Sequence, residues 1–201
     1  MGKYYEAEKR IDQVMEQARA GRLQLELAGA YQNKAWMLLQ RGQTERGLAY
    51  ADSASKYYKI SGTNISLASI YALRGDFNKK LFNFSEAFTW YSHSDSIYAS
   101  SKNPWLHSTG MINFIVLYYY QGDYQKSLDY TFKAITLRPF LLEDQTYLDL
   151  QSALAENHYY LGKPDSAKYF INKYLPIARK QKLTRSENYL ALMMGRLLID
   201  E

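Results

Sequence analysis

The chain has 201 residues, 47% of them hydrophobic and 15% aromatic, with 20 tyrosines, 4 prolines, 11 glycines and no cysteine. That length suits one domain or two small ones, and so many aromatics with so few chain breakers exclude disorder and point to long helices with bulky faces. The missing cysteines exclude a disulfide scaffold, thiolate metal sites and cysteine nucleophiles, while a net charge of +5 is too mild and too evenly spread for a nucleic-acid-binding stripe.

The first residues, Met1-Gly2-Lys3-Tyr4-Tyr5-Glu6, are polar and charged and do not form a signal peptide. A single helix is expected over 3–20. Helix pairs follow over 23–60, 64–100, 104–139 and 144–180, and a last single helix over 184–199. The longest apolar stretch, Met111 to Tyr120, lies in the third pair. It has roughly half the length a bilayer requires and contains Asn113, so a buried helix is expected and membrane insertion is not. Pro164 opens the second helix of the fourth pair, where its missing N–H costs nothing. The densest basic run, Arg179, Lys180, Lys182 and Arg185, suits a solvated helix end and loop.

A period of 40 residues organises these elements. One column reads Ala7, Gly47, Ala87, Ser127, Ala167, and three residues later another reads Arg10, Tyr50, Trp90, Tyr130, Phe170. A third small column, Ala35, Gly75, Ala155 and Gly195, is broken by Ile115. Gly42, Gly122 and Gly162 mark the turn between the helices of a pair, with Phe82 at the same place in one copy. Small residues let two helices approach closely, a glycine ends the first helix, and the aromatic is expected to fill the gap to the next pair.

This combination resembles the tetratricopeptide repeat family, whose pattern is W-x2-L-G-x2-Y, then A-x3-F, then P, with a usual period of 34. In the best copy, Met111, Phe114 and Tyr118 take the large positions, Ser127 the small one and Pro139 the closing proline. The next copy offers Leu154, Ala155, His158, Ala167 and Ile171, with His158 expected to be a hydrogen-bonded core residue. Lys34 and Arg74 stand where leucine is usual, and a slip of phase or snorkelling of their stems would accommodate them. The longer period resembles the arrays of bacterial regulatory and signalling proteins. The resemblance implies an all-α, right-handed solenoid of antiparallel helix pairs, about ten helices in a single array. The single helices at 3–20 and 184–199 read as halves of repeats, which suggests a fragment of a longer protein or, alternatively, natural caps.

No catalytic constellation is present, and His93, His107 and His158 lack metal-ligand spacing, so neither enzyme activity, nor a cofactor, nor a metal is expected. In the family the first helices line a concave groove that holds peptides. Carried over by position, that face holds Gln32, Asn33, Trp36 and Gln40, then Asp76, Lys79 and Lys80, then Ile112, Asn113, Val116, Tyr119 and Tyr120, then Ser152, Glu156, Tyr159 and Tyr160, and last Tyr189 and Arg196. Asn33 and Asn113 match a place where family members bond a peptide backbone, a role the amide's paired donor and acceptor suit. The tyrosines are shared between core packing and groove. The expected function is a non-enzymatic module that binds a protein segment or peptide, as the sensor or scaffold part of a larger bacterial regulator. The alternative is an oligomerisation spacer that self-associates through its terminal half-repeats. Specific nucleic-acid binding is not expected, and the compartment stays open, with the cytoplasm favoured over the periplasm.

Overall fold

A computed structural model of the chain describes residues 2–137 and 144–200, with side chains from Tyr5 onward. Ten α-helices follow one another: α1 (Gly2–Ala20), α2 (Gln24–Gln40), α3 (Thr44–Ser61), α4 (Asn64–Lys80), α5 (Phe84–Ser100), α6 (Pro104–Tyr120), α7 (Tyr124–Thr136), α8 (Gln145–Tyr160), α9 (Pro164–Lys180) and α10 (Thr184–Asp200). No strand occurs among the described residues, so the fold is all-α, as the periodicity predicts. Two compact units divide the chain, Met1–Ser101 with α1 to α5 and Lys102–Glu201 with α6 to α10. Pro139 lies outside the described residues.

The joints between helices repeat every 20 residues rather than every 40. The backbone enters the left-handed region at Arg22, Gly42, Gly62, Phe82, Lys102, Gly122, Gly162 and Lys182, with φ between 55° and 74°. At Gly42 the N–H bonds the Leu39 carbonyl at 3.2 Å, and the N–H of Gln43 reaches back to the Leu38 carbonyl at 2.9 Å. Phe82 and Asn83 make the same two bonds, to Lys79 at 3.0 Å and Asn78 at 2.9 Å. This pair of bonds satisfies the last carbonyls of a helix and stops it. Glycine takes such a conformation freely, whereas each non-glycine residue there carries about 1–2 kcal/mol of strain. Among the described residues, the glycines visible in the sequence are therefore only half of these joints. On the other side of a joint, Asn103, Asp123 and Asp144 cap the N–H groups of Trp105, Lys126 and Tyr147.

In the first unit, the small columns hold aromatic rings. The ring of Phe77 sits against Gly47, and the ring of Tyr91 against Gly75, each at a distance that a methyl group would occupy. Gly195 differs, since a Cβ there would meet nothing within 4 Å. Phe77 is fully buried with Leu39, Tyr58, Leu67 and Ile70, and burial of such a side chain contributes about 2–3 kcal/mol. The second unit buries Leu148, Ile171, Tyr174, Leu190 and Met193 together.

The aromatic column packs within its own helix pair, not toward the next one as the sequence suggests. Tyr50 meets Tyr31 at 5.9 Å and Trp90 meets Tyr71 at 5.5 Å. Tyr130 stacks on Phe114 at 5.0 Å, and Phe170 on His158 at 5.5 Å. His158 is thus a stacking partner whose buried Nδ1 has no hydrogen bond, in place of the expected hydrogen-bonded residue.

Neither cation at a leucine position snorkels. Lys34 is only 3% exposed, and its ammonium bonds Asp12 at 2.7 Å and Glu8 at 3.0 Å on α1. Arg74 lies 4.1 Å from the centre of the Trp90 ring and pairs with Asp52. Each is retained because a neighbouring helix supplies the partner that a buried charge requires.

Candidate functional site

In the second unit, α6, α8 and α10 form a groove of about 460 Å³. Residues three, four and seven apart share one helical face, which is why Asp149, Ser152, Ala153 and Glu156 of α8 all line it. Ile112, Ile115 and Val116 of α6 supply one wall, and Arg185 and Tyr189 of α10 the other. Between two carboxylates the floor is aliphatic, built by Leu150 and Ala153.

The carboxylates differ in how they are held. Asp149 accepts from Gln145 at 2.7 Å and Ser186 at 3.0 Å, and it pairs with Arg185. Glu156 is nine-tenths buried and accepts from the Tyr119 hydroxyl at 2.7 Å. Burial raises the pKa of Tyr119, and its hydrogen bonds to Tyr160 and Glu156 raise it further. Burial first, and then the bond to Glu156, likewise raises that of Tyr189. Both phenols therefore stay protonated and donate toward the carboxylate. Around this point, Tyr160 stacks on Tyr124 at 4.6 Å and accepts from Arg196 at 3.0 Å. Among the described residues no group of three or more His, Asp or Glu side chains is placed to hold a metal ion.

Of the residues singled out from sequence, Ile112, Val116, Ser152, Glu156 and Tyr189 line this groove, with Tyr119 bonded to Glu156. Tyr120 is exposed and meets Tyr119 edge-on, and Tyr159 donates to Asp200. Asn113 is half-buried on α6 and does not line the groove. In the first unit, Asn33 and Trp36 come together in a cleft of about 470 Å³ between α1 and α2, beside Ala7, Arg10 and Ile11. Trp36 is 56% exposed there, as its place outside the packing columns predicts. Gln40 is exposed at the end of α2. Three others serve the fold instead: Gln32 accepts from Tyr58 at 2.8 Å, and Asp76 accepts from Lys79 at 2.8 Å and from Tyr91 at 2.7 Å. Sequence reasoning misses Asp149, Leu150, Ala153 and Arg185. Asp149 was legible as the position seven before Glu156 on the same face, whereas Arg185 is masked by the basic run to which it belongs.

No protein-family model matches the chain, and no curated protein sequence matches it. Solved structures do. BtubC (BKLC) from P. vanneervenii has a TM-score of 0.72 at 18% identity, covering 96% of this chain and 76% of that one. A kinesin light chain from Podosopora anserina, described as putative and built of nearly identical TPR-like repeats, has a TM-score of 0.69 at 15% identity over 90% of this chain and 89% of that one. The fold is tetratricopeptide-like. A third protein with this tetratricopeptide-like fold is Aspartyl phosphate phosphatase F from Bacillus subtilis, at a TM-score of 0.75 and 21% identity. The match covers 87% of this chain but only 46% of the phosphatase. Among the described residues, no helix is long and apolar enough to cross a membrane.

Proposed function

We propose that the chain is a non-enzymatic module that binds an extended protein segment or peptide. The observation that carries this reading is the open groove over α6, α8 and α10, with an aliphatic wall on α6 and a few polar and charged groups, Asp149, Glu156 and Arg185 among them, set in its lining. Clefts of this size and composition, apolar with a few placed polar groups, suit the side chains of a peptide. Asn33 and Trp36 in the cleft of the first unit, and Asn113 and Tyr120 beside the groove of the second, are proposed as further contacts. A photo-crosslinking residue placed at Val116 or Trp36 should give partner adducts, while one at Phe132 or Thr89, exposed on the second helices, should not. Equal yields from both sets would remove the groove from consideration. The role of sensor or scaffold in a larger bacterial regulator is supported by the 40-residue period and by the shared fold of the aspartyl phosphate phosphatase. An output domain in the same reading frame would establish that role.

Self-association is the second reading, and one observation favours it. Ala51, Tyr91 and Ile171 are fully buried at the column where Ile11 is half-exposed, and Val14 is 45% exposed where Ala54 and Ala134 are fully buried. On α10, Gly195 is open and Leu192 and Leu198 are exposed. The uncovered face of α1 is that of a second helix and the uncovered face of α10 that of a first helix. The two faces would complete one helix pair between copies, a head-to-tail contact that extends into a chain. Sedimentation velocity over a wide concentration range should show association that Gly195→Arg abolishes. A strict monomer at every concentration sinks this reading.

A further inference from the structure

The groove of the second unit contains one charge that the fold leaves without a counter-ion. Asp149 is matched by Arg185, but Glu156, although nine-tenths buried, forms no ion pair among the described residues. Its partners there are the phenols of Tyr119 and Tyr189. Neutral donors hold a carboxylate in place without cancelling its charge, and a charge removed from water is stabilised most by a cation brought to it. The nearest candidate in the chain, Arg196, donates to the hydroxyl of Tyr160 and acts on Glu156 only at longer range.

Resting on the peptide-binding reading above, we propose that this groove receives a lysine side chain of the bound segment. The ammonium would reach Glu156 and the four methylenes would lie along Ile112, Val116 and Ala153. Three features favour this occupant. With Asp149 paired to Arg185, the lining beside Glu156 offers the aliphatic Ile112, Val116 and Ala153, a stretch that complements a long apolar stem with a charged tip. The hydroxyl oxygens of Tyr119 and Tyr189 lie at the same point, and their lone pairs can accept from an ammonium while their hydrogens go to Glu156. Because both phenols already bond Glu156, a compact single-point cation fits it better than the two-pronged guanidinium.

A library of acetylated random decapeptides, panned against the full chain and against Glu156→Gln, tests the proposal. Glutamine keeps an acceptor for both phenols, and an unchanged thermal midpoint confirms that the variant is folded. Binders to the wild type should be enriched in lysine at one position, and that enrichment should vanish with Glu156→Gln. Replacing that lysine by norleucine in one selected peptide should weaken binding roughly tenfold or more. Arg196→Gln, which removes the competing positive charge, should tighten the lysine peptide and leave the norleucine peptide unchanged. Binders without lysine enrichment, or enrichment that survives Glu156→Gln, would overturn the lysine assignment and leave the groove reading standing. No binders at all would overturn both.

Discussion

The ring of Phe77 lies on the bare Cα of Gly47, so that α3 and α4 meet where even a methyl group has no room. Tyr91 and Gly75 repeat the arrangement between α4 and α5. Gly47→Ala and Gly75→Ala should each destabilise the protein by about 1–3 kcal/mol through overpacking. Gly195→Ala, where the new methyl meets nothing, should stabilise by up to about 1 kcal/mol from helix propensity alone. Urea titrations of the three variants check the contrast, and a loss of stability in Gly195→Ala would refute the assignment of an open position.

Phe82 provides the opposite case, a large side chain in a backbone conformation that suits glycine, with φ at 60°. It is 73% exposed and touches Phe84 edge-on, so little packing offsets its strain. Phe82→Gly should raise stability by about 1 kcal/mol, a rise of roughly 2–4 °C in Tm. Gly42→Ala, which imposes the strain on an unstrained joint, should lower it by about 1 kcal/mol. A fall in Tm for Phe82→Gly would mean that the ring contributes a contact outweighing its backbone cost.

Much of this fold was legible in the sequence because small and aromatic columns are read directly from the spacing of side chains. The left-handed conformation at Arg22, Phe82 and Lys182 was not, because it is imposed there by the capping bonds and not by residue type. Lys34 and Arg74 looked like misfits because their partners lie on other helices, at Glu8, Asp12 and Asp52. Of the groove's lining, Ile112, Val116, Ser152, Glu156 and Tyr189 followed from position. Asp76 and Lys79 fell on the same columns but neutralise each other within the fold, and no spacing rule shows which charges are already matched.

The Lys34 cluster should make stability depend on pH at both extremes. Hydrogen bonds from Lys34 and then Arg41 hold the Glu8 carboxyl below its ordinary 4.5. Its contribution is therefore complete above pH 4.5 and is lost as pH falls through the lower folded value. For Lys34, burial opposes the charge, but the bonds to Asp12 and Glu8 outweigh it and raise the pKa above 10.5. That contribution is complete below pH 10.5 and disappears as pH rises through the folded value. Thermal melts should show both declines, with the acid one reduced in Glu8→Gln. An unaltered acid limb in that variant would contradict the pairing.

His158 should impose a gentler slope nearer neutrality. Burial, with a smaller effect from Lys163, lowers its pKa below 6.5. The unfolded chain then binds the proton more readily, and stability should fall as pH drops below 6.5. His158→Phe preserves the stack on Phe170 and removes an unsatisfied buried nitrogen, so it should abolish that slope and stabilise by about 1 kcal/mol. Melts between pH 5 and 8 decide it, and a slope that persists in the variant would assign it to another group.

The 20-residue spacing of the joints also governs how such a chain can change in length. Excising residues 43–82 would splice Gly42 to Asn83 and recreate a joint that can make the same two capping bonds, with α2 now followed by α5. Removing only 43–62 would leave an equally sound joint, yet α4 would stand where a second helix belongs, with Leu67 in the place of Gly47. The backbone is thus indifferent to the loss of any single helix, and the side-chain columns alone enforce that helices are gained and lost in twos.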